Sequence, residues 1–263
     1  MAISLQFKSL ELLRSPHLGL LWERFRADGL PLIEDHGELE PVFEQFDAPG
    51  PPRIGVRIQT FDDAPPMPRV WFLNPAKDEL VQIQRDRLIV NWRQGARSER
   101  YPRYRSILKR FRSALDILTA FTASQELGAI TPTQCEITYI NHMPAGEGWS
   151  VHSDVGLVVT PWENRFSDSY LGRPEDVSFT ARFLMADENR VPLGRLHAFL
   201  QSAYRIADKH PIIAMNLTAR GAPASTDMND VFRLFDQEHE WIVRGFTSIT
   251  TKQMHQIWRR KDG

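Results

Sequence analysis

YPRYRSILKRFRSALDILTAFTASQEL, residues 101–127, decides how the rest of this chain is read. Ile107, Phe111, Leu115 and Leu118 recur at spacings of four, four and three, which puts them on one stripe of an α-helix. Pro102 suits the first helical turn, where its missing N–H is no loss, and Gly128 follows as a stop. A second stretch of the same kind runs from about Met228 to Thr250. Its stripe is Val231, Phe235, Ile242, Phe246 and Ile249. Asp227 stands at its N-cap position and Asp230 in its first turn, where a carboxylate favours a helix.

Extended runs precede each helix. Ile3, Leu5 and Phe7 alternate with Ser4 and Gln6, the period of a half-buried strand. An apolar helical stripe runs from Leu10 to Phe25 through Leu13, Leu20 and Leu21, broken early by Pro16 and ended by Asp28–Gly29 and Pro31. After a connector at Pro49–Pro52, strands are expected at Ile54–Ile58 and Arg69–Leu73. Leu80–Trp92 changes phase at Arg85–Asp86, as two strands joined by a tight turn do. Cys135, Ile137 and Tyr139 alternate likewise. Pro144–Pro174 is irregular and rich in Gly, Pro, Ser and Trp; beyond it Phe179–Met185, Leu193–Tyr204 and Ile212–Leu217 read as strands. The expected fold is α+β, with two pseudo-repeats of antiparallel strands, each followed by a long helix packed on the sheet. Residues 1–143 would form the first repeat with its N-terminal strand and helix, 144–176 an irregular connector, and 177–263 the second repeat.

Composition narrows the class. Of 263 residues, 42% are apolar and 25% charged, which supplies a core and excludes a disordered chain. Lys plus Arg number 32 against 33 Asp plus Glu, so no global field draws nucleic acid or anionic lipid. Cys135 is the only cysteine, which excludes an intrachain disulfide and a thiolate zinc cluster. The start, MAISLQF, lacks the basic segment and long apolar run of a secretory signal, and no run approaches the ~18 apolar residues of a membrane helix. A cytoplasmic protein is expected.

Four stretches, in order, carry a resemblance: LQFKSL (5–10), QIQRDRLIVNW (82–92), YIN (139–141) and FDQEHEWIVRGFTSIT (235–250). Over nearly its whole length the chain resembles an uncharacterised, sporadically distributed bacterial protein family. The resemblance implies a soluble cytoplasmic protein with no assigned reaction, and it supplies no catalytic residues.

One constellation has the ingredients of a metal site. His152 and Asp154 form a His-x-Asp, and His210 lies further on. A non-haem iron oxygenase uses two imidazoles and a carboxylate on one face of the metal, and in a strand residues two apart point the same way. Arg220, ten residues after His210, could offer a guanidinium fork to 2-oxoglutarate. Pro144–Trp149 resembles the Gly-containing approach to such a site in 2-oxoglutarate oxygenases. Against this, His-x-Asp is a two-residue pattern that recurs by chance, and the helix from Met228 sits poorly in a double-stranded β-helix.

Other chemistry has less to stand on. Asp236 and His239 are one helical turn apart but no nucleophile accompanies them; there is no Gly-x-Ser-x-Gly elbow and no phosphate-cradling Gly-rich loop. A basic stretch interleaved with aromatics spans Arg93 to Arg112, and Arg97, Arg100, Arg103, Tyr104, Arg105 and Lys109 are its candidate partner-binding residues. Cations at a helix start oppose the macrodipole, which asks for a reason beyond folding. The leading expectation is a non-enzymatic binding or interaction module for a macromolecular partner, protein or nucleic acid, with no cofactor. The alternative is an Fe2+ and 2-oxoglutarate dependent oxygenase using His152, Asp154, His210 and Arg220.

Overall fold

A computed structural model of the protein describes residues 1–46, 67–94, 101–163 and 170–259. The connector at Pro49–Pro52 and the strand expected at Ile54–Ile58 lie outside the described residues. The strands are β1 (Ala2–Phe7), β2 (Leu32–His36), β3 (Arg69–Leu73), β4 (Glu79–Gln84), β5 (Arg87–Trp92), β6 (Pro132–Pro144), β7 (Ser178–Ala186), β8 (Pro192–Tyr204) and β9 (Pro211–Gly221). The helices are α1 (Ser15–Ala27), α2 (Tyr104–Ser124), α3 (Val155–Val158), α4 (Met228–Ile249) and α5 (Lys252–Ile257). Among the described residues no helix is long and apolar enough to cross a membrane.

The strands belong to one mostly antiparallel nine-stranded sheet, in the order β2-β3-β4-β5-β1-β6-β9-β8-β7. The expected pair of strand-plus-long-helix repeats is overturned. Alternation marks a segment as a strand without saying which strand it joins, and here β1 returns beside β5 and β6 beside β9. The shorter helices also differ between the halves. Thirteen-residue α1 follows β1, whereas only the 3-10 turn His152–Asp154 and four-residue α3 follow β6.

By compactness the chain falls into two units, each built from discontinuous segments: Met1–Ile137 with Gly221–Phe235, and Thr138–Arg220 with Asp236–Gly263. In the first unit, β2 to β5 form an antiparallel meander, with Gln84 opposite Arg87 across the Arg85–Asp86 turn, and β5 pairs with β1. Ile3, Leu5, Val70, Phe72, Val81, Ile83, Leu88 and Val90 share one face and are buried. On that face Phe25 of α1 stacks against Phe72 of β3, with ring centroids 5.2 Å apart. The α2 stripe of Ile107, Phe111, Leu115 and Leu118 is buried as its periodicity requires, and Phe111 meets Phe235 edge-on at 5.2 Å. The helix is shorter than expected at both ends. Glu126 takes the left-handed conformation (φ 53°) and Leu127 N–H bonds back to Thr122 O, a C-terminal cap that needs no glycine. Pro16 opens α1 instead of breaking it, because a first-turn position has no intrahelical N–H to lose. Cys135 of β6 is buried, its sulfur 4.0 Å from Val231 O.

In the second unit, β7 and β8 form a hairpin with Phe183 opposite Leu196 and a bulge between Met185 and Ala186. Gly194 of β8 lies hard against β9: a Cβ there would stand 2.3 Å from Arg220 O and 2.9 Å from Met185 Cε. Asp227, next to α4, accepts from Asn229 N–H at 2.7 Å as an N-cap does. Two glycine substitutions test this packing. Gly194→Ala should lower the unfolding free energy by about 1–3 kcal/mol, since a backbone carbonyl has to move. Gly19→Ala, on an open face of α1, should raise it by about 0.5–1 kcal/mol. Urea titration of both variants checks the pair.

Candidate binding surfaces

The side-chain bonds of His152, Asp154 and His210 run to the main chain and to Arg173. His152 lies in a 3-10 turn, not the expected strand, and Asp154 ends that turn. The His152 ring is buried, stacked on Trp149, with Nε2 3.2 Å from Ala203 O and 3.1 Å from Ile212 O. Carbonyl oxygens only accept, so Nε2 carries the proton and is spent as a donor. His210 repeats the pattern, with Nε2 3.0 Å from Ala145 O. One Asp154 oxygen accepts the main-chain N–H groups of Ser150 (3.0 Å) and Val151 (3.1 Å), and the other lies 3.6 Å from Arg173. Arg220 sits ten residues beyond His210 along β9, which at about 3.3 Å per residue is roughly 33 Å of strand. Among the described residues no group of three or more His, Cys, Asp or Glu side chains is arranged to hold a metal ion. His152, Asp154 and His210 hold the loop after β6 and tie it to the start of β9.

The basic stretch divides as well. Arg97 and Arg100 lie outside the described residues. Arg103 is the N-cap residue of α2, and Arg103, Arg105 and Lys109 are exposed on its first turns, which hold no acidic residue. Tyr104 is only 6% exposed, so its ring belongs to the core and is not offered to a base. Arg110 is claimed by ion pairs to Asp28 and Glu79, and Arg112 lies flat on Phe232, 3.4 Å from the ring centroid. Arg103 and Lys109 pair with no carboxylate among the described residues.

A third surface was invisible in the sequence. The face of the first unit's sheet opposite its apolar core carries a polar row, strand by strand. His36 faces Arg69, Gln84 faces Arg87, and Arg87 faces Gln6; the register from Val70–Ile83 sets Arg69 against Gln84. Beside that row, Glu34 faces Trp71 and Trp71 faces Gln82. The segment Leu39–Val42 lies across it. Gln84 exchanges two hydrogen bonds with the Leu39 main chain (3.0 and 2.9 Å), Val42 N–H donates to Gln6 at 3.3 Å, and Arg87 donates to Gln6 (2.7 Å) and to Glu40 O (3.1 Å). Gln6, Gln84 and Arg87 are thereby buried. Towards β2 the row is less covered: the His36 ring stacks on Trp71 at 3.7 Å and its side chain is 32% exposed. Polar residues that alternate with apolar ones carry no mark of the segment that covers them.

The second unit offers an apolar cleft of about 460 Å³ lined by Tyr139, Leu217, Ile242, Phe246 and Trp258. Tyr139 Oη stands 3.0 Å from His239 Nδ1 at one side, which is where the helix pair singled out by spacing sends its histidine.

Asp154 yields a pH prediction. The main-chain N–H groups of Val151 and Ser150, with Arg173 nearby, hold its carboxyl below the ordinary aspartate value. A depressed folded value means stability that is present above the unfolded value and lost as pH falls through the folded one. Asp154→Ala should therefore cost about 1 kcal/mol at neutral pH, with the difference from wild type closing as pH falls below the normal carboxylate range. Denaturant titrations at neutral and strongly acidic pH measure it.

Comparison with protein-family models, curated proteins and solved structures finds no match for this chain.

Proposed function

We propose that the protein is a non-enzymatic, cytoplasmic binding module whose partner is a macromolecule, namely an acidic protein segment engaged by the start of α2. The observation that carries this reading is the exposed trio Arg103, Arg105 and Lys109 on two helical turns without an acidic first-turn residue. The positive end of the helix dipole adds to those charges, so the arrangement costs the helix something and attracts anions. Arg103 and Lys109 pair with no carboxylate among the described residues, in contrast to nearby Arg110, which folding supplies with two.

A protein partner is favoured over nucleic acid by the fate of the aromatic residue. Base stacking needs a ring free among the cations; Tyr104 is turned into the core, and Tyr101, though 46% exposed, is set edge-on against Trp92 at 5.0 Å. A formal net charge of −1 also lacks the broad positive field of a nucleic-acid binder.

Fluorescence anisotropy with labelled polyglutamate, single-stranded RNA and duplex DNA tests the reading. Polyglutamate should bind with an affinity that falls as salt rises. Replacing Arg103, Arg105 and Lys109 together by Glu should weaken it at least about tenfold, and should leave the fold as stable or slightly more so, because Glu complements the helix start. Tighter binding of RNA or DNA than of polyglutamate would replace the protein partner by a nucleic acid. Binding of no polyanion would remove the reading altogether.

A further inference from the structure

The polar face of the first unit's sheet contains a cation that the fold leaves unneutralised. Arg69 donates from Nη1 to the side-chain oxygen of Gln82 at 2.9 Å, a neutral acceptor, and has no carboxylate partner among the described residues. Its Nε–H is shielded from solvent and lacks an acceptor, and so does the indole Nε1–H of Trp71, two residues along β3 on the same face. Buried donors without acceptors are uncommon in native proteins, and two of them beside one bare guanidinium have a chemical complement.

The surroundings sharpen that complement. Glu34 faces Trp71 across the ladder, but its charge is taken by Lys77 at 2.9 Å, which holds the Glu34 carboxyl below its ordinary range. Arg87 lies two strands away along the same row, and burial together with its charge pushes the Arg69 guanidinium below its usual value. Arg69 itself is answered by no negative charge among the described residues. The geometry is also held ready. His36 stacks on the indole at 3.7 Å, and the Arg69 guanidinium carbon is 5.5 Å from the Trp71 ring centroid. Entry is from β2, where the His36 side chain remains 32% exposed.

We propose that this face binds an oxyanion, the carboxylate or phosphate group of a ligand, between the Arg69 guanidinium and the Trp71 indole N–H, with Arg87 as the second positive neighbour. Charge-assisted bonds from a guanidinium suit both oxyanions, so the group is assigned by chemistry and its source is left to the probes. The site is distinct from the exposed cations of α2 and stands or falls without them.

The test uses the full chain with inorganic phosphate, acetate and chloride at one ionic strength. The indole N–H resonance of Trp71, assigned with Trp71→Phe, and the thermal midpoint are the readouts. At least one of phosphate and acetate should shift the Trp71 resonance saturably and raise the midpoint by about 3–6 °C, with chloride doing neither. Phosphate alone would assign a phosphate group, and acetate alone a carboxylate. Arg69→Gln should weaken binding at least about tenfold. Without anion it should melt no lower than wild type, because it removes a charge that nothing neutralises. Equal binding by wild type and Arg69→Gln, or a Trp71 resonance that neither oxyanion moves, would overturn the site. Should Arg69→Gln fail to fold, Trp71→Phe decides, since it keeps the stacked ring and deletes only the N–H. Undiminished affinity in that variant would equally end the proposal.

Discussion

The antiparallel register of β2-β3-β4-β5-β1 is the constraint on which the first unit depends. A single register places Ile3, Leu5, Val81, Ile83, Leu88 and Val90 beneath the helices and, by the same alternation, sets Gln6, Gln82, Gln84 and Arg87 on the opposite face. A slip of one residue in any strand would exchange the two sets. Each apolar side chain turned outward would forfeit about 1.5–3 kcal/mol, and each amide or guanidinium turned inward would lose its partners. The core and the polar row therefore specify each other.

That coupling explains why the molecule carries two kinds of cation. The arginines and lysine at the start of α2 reach water, are well solvated and place a modest strain on their helix. Arg69 stands on a strand, half-buried, set against Trp71 and held by the neutral amide of Gln82. Exposed charges act at a distance and are screened by salt. A sunken charge acts only on what touches it, with less screening and stricter geometry.

The local elements were largely legible in the amino-acid order, and their assembly was not. The i, i+4, i+8, i+11 stripe from Ile107 to Leu118 has no alternative satisfying arrangement but a helix, and the phase change at Arg85–Asp86 marks a turn for any strand pair. Neighbourhood across a sheet leaves no such trace, so β1 beside β5 could not be read from either strand. The surroundings of the candidate site residues were hidden for a related reason. His152 and Asp154 two apart suggest ligands on a strand, but a 3-10 turn sends both to main-chain partners. Gln84 and Gln6 alternate with apolar residues as surface positions do, yet Leu39–Val42, a stretch without periodicity, comes back to cover them. Long-range coverage by an irregular segment is what one-dimensional patterns cannot carry.

The single cysteine has a use that follows from its burial. Cys135 sits fully enclosed in β6, so a thiol reagent can reach it only when the strand leaves its neighbours. The rate of alkylation is then a clock for opening of that part of the sheet, read without any added label. Because no other thiol competes, a second cysteine placed at an exposed position would be modified first and alone. The chain comes supplied with an internal reporter and otherwise blank for spectroscopic probes.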